Sequence, residues 1–170
     1  MNGIRYAEGL KVIPLLGPIA FTTAAIDTEY VDMKEFHWAT FFVNFGVFTS
    51  DSSDTVTVTV LCSSVATSET GDGIPFDYRL SSPVDTDSMG AITAATSDGV
   101  VLTSSTDLDV NAAQRLLIID VNADKLPAYK SDGCFLSVLI TPTADVASGV
   151  VGVIAVLEPR FPGNAITSST

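Results

Sequence analysis

At 170 residues and 17.8 kDa the chain has the size of one domain, and such a chain can bury about 70% of its unfolded surface without a metal or a disulfide. Hydrophobic residues make up 46% and charged residues only 16%, with a mean hydropathy of +0.39; a chain this short of charge is expected to bury surface against copies of itself or a partner. The net charge of −12, with eight Lys and Arg, excludes wrapping of nucleic acid, which needs cations to neutralise phosphates, and suits a protein held outside a DNA-filled object.

The first apolar stretch, GLKVIPLLGPIAFTTAAI (9–26), is interrupted by Pro14, Gly17 and Pro18 and carries Lys11. It is too broken for a membrane-spanning helix and is not read as a signal peptide. Residues 1–28 are therefore expected to form an extended N-terminal arm. Next comes FHWATFFVNFGVF (36–48), which crowds Phe36, Trp38, Phe41, Phe42, Phe45 and Phe48 together. Trp38, Phe41, Phe42 and Phe45 fit a helical stripe, but the aromatic and Val content and the polar turn that follows favour a strand. As a strand, Ala39, Phe41, Val43 and Phe45 share one face, while Phe36, Trp38, Thr40 and Phe42 share the other. Antiparallel sandwiches usually leave one face wet, so the second apolar face requires a cover.

After the turn TSDSSD (49–54), DTVTVTVLC (54–62) alternates Val56, Val58, Val60 and Cys62 with Thr55, Thr57 and Thr59, the pattern of a half-buried strand. GIPFDYRLSS (73–82) alternates Ile74, Phe76, Tyr78 and Leu80, and GVVLTSS (99–105) is a short strand. STDLDVNAAQ (105–114) offers a helical turn with Asp107 or Asp109 as its cap. RLLIIDV (115–121), CFLSVLITP (134–142) and GVVGVIAVLEP (149–159) complete the series, the last two being the most apolar and each ending at a proline. Short strands with Gly and Pro punctuation predict an all-β fold, an antiparallel β-sandwich of jelly-roll type over residues 29–158. PRFPGNAITSST (159–170) is expected to form an extended C-terminal tail.

Catalytic chemistry finds little support. The single histidine, His37, lies between Phe36 and Trp38, and no nucleophile elbow, phosphate loop or dinucleotide fingerprint occurs. Cys62 and Cys134 lie in apolar runs, so buried free thiols are the preferred reading and one disulfide the alternative; zinc would need closer spacing. Asp pairs such as Asp85 with Asp87 and Asp107 with Asp109 could ligate calcium, but they lie in turns, where solvated carboxylates are ordinary. No catalytic, cofactor-binding or metal residue is assigned. The rings around Trp38 could also stack on sugars; interface packing accounts better for so much apolar area in one stretch.

In its segment order, TEYVDMKEFHWATFFVNFGVF, DTVTVTVLCSS, IPFDYRLSS and GVVGVIAVLEPRFPGNAI, the chain resembles small β-sandwich virion proteins of tailed bacteriophages, among them capsid decoration, or cement, proteins. The resemblance implies a structural, non-enzymatic protein on the outer capsid surface that bridges major capsid proteins. It implies a homo-oligomer, with a trimer favoured, made in the bacterial cytoplasm and in direct contact with neither nucleic acid nor membrane. Self-association is expected through Phe36, Trp38 and Phe42, and capsid contact through Ile4, Arg5, Tyr6, Leu10, Val12 and Ile13 of the arm. A neck, tail or fibre subunit, or a carbohydrate-binding sandwich module, would be the alternatives.

Overall fold

The structure, a computed structural model, describes residues 9–47, 54–66, 71–82, 88–108, 114–126, 134–143 and 149–160. Its strands are β1 (Lys11–Ala20), β2 (Ile26–Asp27), β3 (Val31–Asp32), β4 (Phe36–Phe45), β5 (Thr55–Ser63), β6 (Asp72–Ile74), β7 (Phe76–Leu80), β8 (Thr93–Ala95), β9 (Val100–Thr103), β10 (Arg115–Asn122), β11 (Phe135–Pro142) and β12 (Val150–Pro159). They form two sheets, β1-β12-β4-β10-β7-β8 and β2-β11-β5-β6, with β3 also on β11 and β9 also on β5. All recorded pairings are antiparallel. From β4 onward the long strands fall alternately in the two sheets, and β1 pairs with β12, a jelly-roll-like connectivity. The chain is an all-β sandwich.

Alternation places the core. From the first sheet, Phe41, Val43 and Phe45 of β4, Val151, Val153 and Ala155 of β12, and Leu117, Ile119 and Val121 of β10 are wholly buried. Val56, Val58 and Val60 of β5 and Leu136, Val138 and Ile140 of β11 meet them from the second sheet. Register keeps each set level: Phe41 lies beside Ile119 and Ala155, and Val43 beside Leu117 and Val153. A period-two side-chain pattern tolerates no slip here, because moving one residue along would turn every core side chain outward.

Several expectations require correction. Residues 11–27, expected to belong to an extended N-terminal arm outside the sandwich, are built into it: β1 pairs with β12 from Lys11 to Ala20, and β2 pairs with β11. Leu15, Phe21 and Ile26 are buried, and their apolar area is what draws the segment in. Pro14 and Gly17 interrupt the register instead of preventing pairing, with shifts between Pro14 and Leu16 and between Leu16 and Ile19. As an outermost strand β1 can carry proline, since one side of it needs no ladder hydrogen bonds. Residues 73–82 are not one strand. β6 joins the second sheet and β7 the first, and Pro75, which lacks an N–H, stands at the crossing. The helical turn expected at 105–114 is instead a π-helical turn at Ser104–Leu108, where Asp107 Oδ2 accepts from the Thr103 N–H at 2.8 Å; Asp109 lies outside the described residues.

The cysteines are paired. Cys62 and Cys134 form a disulfide between β5 and the start of β11, where the sequence favoured free thiols. The sheet register explains the encounter: Cys62 lies opposite Leu136, two residues from Cys134, a proximity that 72 intervening residues conceal in the sequence. Arg115 ends the inward file of β10 and is also buried, and among the described residues its Nε and Nη1 have no hydrogen-bond partner. Burial lowers its pKa from the usual arginine value, and the Asp107 carboxylate opposes that shift.

Two stability outcomes follow. Phe41→Ala, which empties a wholly buried site, is expected to cost about 3–5 kcal/mol in urea unfolding. Replacing both Cys62 and Cys134 with Ala should cost about 4 kcal/mol, the chain-entropy value for a loop of this length, and the wild-type chain unfolded without reductant should show no reactive thiol.

Candidate functional site

Nothing among the described residues covers the second face of β4. Register aligns the outward side chains of the first sheet into rows that run across the strands. One row is Pro14, Ile154, Phe42 and Ile118, continued by Arg79 on β7. On one side of it lie Val12, Val156, Thr40, Asp120 and Asp77, followed by Glu158, Trp38 and Asn122. On its other side lie Gly152, Asn44 and Leu116. Because Gly152 contributes no side chain, this last row sinks into a groove of about 340 Å³ bordered by Leu16, Pro18, Phe42, Leu116 and Ile154. Val12 is 51% and Ile154 46% exposed. The face is therefore an apolar field with its carboxylates gathered toward one end.

Trp38 is half-buried, and its indole is tied to the sheet. Its Nε1–H donates to Asp120 Oδ1 at 3.2 Å, and the Thr40 hydroxyl donates to the same oxygen at 2.7 Å. Thr40 and Asp120 are cross-strand partners, so a β4–β10 pair holds the polar edge of the ring while its apolar body remains part of the face. Holding an aromatic side chain in one rotamer lowers the entropy cost of packing something against it.

Of the residues expected to self-associate, Trp38 and Phe42 lie on this face and Phe36 does not. Phe36 is 7% exposed and belongs to the core. A 3₁₀ turn at Met33–Glu35 immediately precedes it, and a bulge between Glu158 and Pro159 shifts its pairing, so the simple alternation drawn from Trp38 does not extend to it. Lys11 Nζ lies 5.7 Å from its ring centroid, and its carbonyl accepts from Arg160 Nε at 3.1 Å. Among the residues expected to contact a capsid, Val12 is on the outer face, Ile13 packs against the core and Leu10 is half-buried. Ile4, Arg5 and Tyr6 lie outside the described residues. His37 is exposed at the start of β4.

Sequence reasoning missed Ile154, Ile118, Leu116 and Pro14 as members of the face. The signal was present in GVVGVIAVLEP and RLLIIDV: neither alternates, so apolar side chains must leave both sides of each strand. Among the described residues no group of three or more His, Cys, Asp or Glu could hold a metal ion. No helix there is long and apolar enough to cross a membrane.

Asp120→Ala should leave the Trp38 N–H and the Thr40 hydroxyl without their shared acceptor. The expected cost is about 1–2 kcal/mol, read from urea unfolding followed by the emission of the chain's one tryptophan, with a red-shifted native spectrum as the ring loosens.

No family model matches the chain, and no curated protein matches it. Among solved structures it is similar to a chain of T=1 particles derived from infectious bursal virus, at 10% identity and a TM-score of 0.25. That match covers 88% of this chain and 40% of the viral one. Chains of the infectious bursal disease virus Gx and Gt strains match at 10% and 11% identity, each with a TM-score of 0.23. These matches cover 92% and 95% of this chain, and 41% and 43% of those. The chain thus spans about two fifths of the viral chains it matches, and at such TM-scores the likeness carries no argument about role.

Proposed function

We propose that this chain is a structural virion protein without catalytic activity, one that decorates and stabilises the outer surface of a phage capsid by bridging its major capsid proteins. The observation that carries this reading is the outward face of the first sheet, where Trp38, Phe42, Ile118, Ile154 and Val12 form one apolar field on an otherwise acidic chain. Each large side chain removed from water contributes about 1.5–3 kcal/mol, so a field of this kind favours association and would be a liability on a solitary molecule. Self-association through it fits a protein present in many copies on a shell. The net charge of −12 fits a position outside packaged DNA, because an acidic surface is repelled by phosphate. Residues flanking the sandwich would provide the contacts with the shell, beginning from Leu10 just before β1.

Counting copies in purified particles tests the reading directly. A decoration protein should approach the copy number of the major capsid protein and should leave the shell less resistant to heat when absent. A handful of copies would instead indicate a neck, tail or fibre subunit, and absence from particles would end the virion reading. Trp38→Ala should retain the fold and weaken association; loss of glycan binding alone would identify a sugar-binding module.

A further inference from the structure

Gly152 occupies the interior of β12, where a glycine weakens a strand and often marks close approach by another backbone. The fold itself does not demand it. Its φ is not in the left-handed region, and a Cβ added there would meet Leu16 O at 3.5 Å and Pro18 N at 3.6 Å, both ordinary contacts. Two residues along the same face, Ile154 projects outward. A projection and a dent therefore lie side by side on one strand, one step to either side of Val153.

We propose that a second copy of this chain packs on this face, related by a two-fold axis that lies in the contact plane, crosses the strands and passes over Val153. Such an axis exchanges the projecting row with the sunken one. Ile154 of each copy enters the dent above Gly152 of the partner subunit, and Phe42 and Ile118 pass over the partner's Asn44 and the partner's Leu116. Val156 meets the partner's Val150. Asp120 comes over the partner's Gln114, a neutral amide, so the carboxylate nearest the field does not face a like charge. Facing sheets pack about 10 Å apart with a rotation near 30°, so the opposition is closest near the axis and loosens toward the margins.

The area suits a second copy and sets the strength of the contact. Strands about 4.8 Å apart and residues about 3.4 Å long give the field roughly 500 Å² per copy, or roughly 1,000 Å² for the pair, the low end of specific interfaces. The contact is thus a weak, concentration-dependent dimer. This inference deepens the self-association part of the proposed function and is independent of any capsid.

Sedimentation of the full chain from low to several hundred micromolar should show a monomer–dimer equilibrium. Ile154→Asp and Gly152→Val should each weaken it about tenfold or more, the shift that about 1.4 kcal/mol produces. Gly152→Ala, whose added Cβ has room, should also weaken the dimer and should melt no lower than wild type; this separates a lost contact from a lost fold. Register is read by cross-linking: with Cys62 and Cys134 kept oxidised, Ile154→Cys mixed with Gly152→Cys should be joined by a short bis-maleimide faster than either variant alone. A monomer at every concentration, a trimer, indifference to Ile154→Asp and Gly152→Val, or preferred Ile154→Cys self-linking would overturn the two-fold contact. Absence from particles would overturn the virion reading and leave this contact standing.

Discussion

The rest of the molecule depends on the packing of β4 between β10 and β12. Its inward residues Ala39, Phe41, Val43 and Phe45 are wholly buried, and its two neighbours bring Leu117, Ile119, Val153 and Ala155 level with them. Because strand geometry sends successive side chains to opposite faces, fixing this inward file also fixes which residues look out. The outer field is therefore no independent feature. Trp38 and Phe42 stand where they do because Phe41 and Val43 must point inward.

This coupling clarifies how the acidic, charge-poor composition can be accommodated. Many of the carboxylates lie between the strands in sequence, while β4, β10 and β12 carry apolar side chains on both of their sides. The sandwich needs only one of those sides. The other is stabilised locally by the Trp38–Asp120–Thr40 cluster, which satisfies polar atoms at the edge of the field without placing a charge at its centre. Gly152 lies on the opposite side of the Ile154 row from that cluster, so the face has a pinned aromatic end and a hollow end.

Much of the fold was legible in the sequence. The alternation in 54–62 located β5, and the prolines that close 134–142 and 149–159 located the ends of β11 and β12, because these are local signals of backbone geometry. The choice of strand over helix rested on composition and was correct for Phe36–Phe45. What escaped were features that depend on partners distant in sequence. β1 has broken periodicity, and only its pairing with β12 makes it a strand. The pairing of Cys62 with Cys134 follows from the β5–β11 register, and the inward turn of Phe36 follows from a shift in the β4–β12 register at His37. The candidate site was half legible: Trp38 and Phe42 were found from their own strand, whereas Ile154 and Ile118 join them only through cross-strand alignment.

The position of β4 between two strands made much later has a consequence for biogenesis. A ribosome releases β4 long before it makes β10 and β12, so a greasy segment must wait through roughly seventy residues of synthesis at about 5–20 residues per second before the first of these neighbours exists. Late, sequence-distant closure of this kind slows folding and prolongs the exposure of unpaired edges. The polar turns and the surplus of acidic residues would keep nascent chains apart during that interval, giving the acidity a task in the cell that is finished before any mature surface has formed.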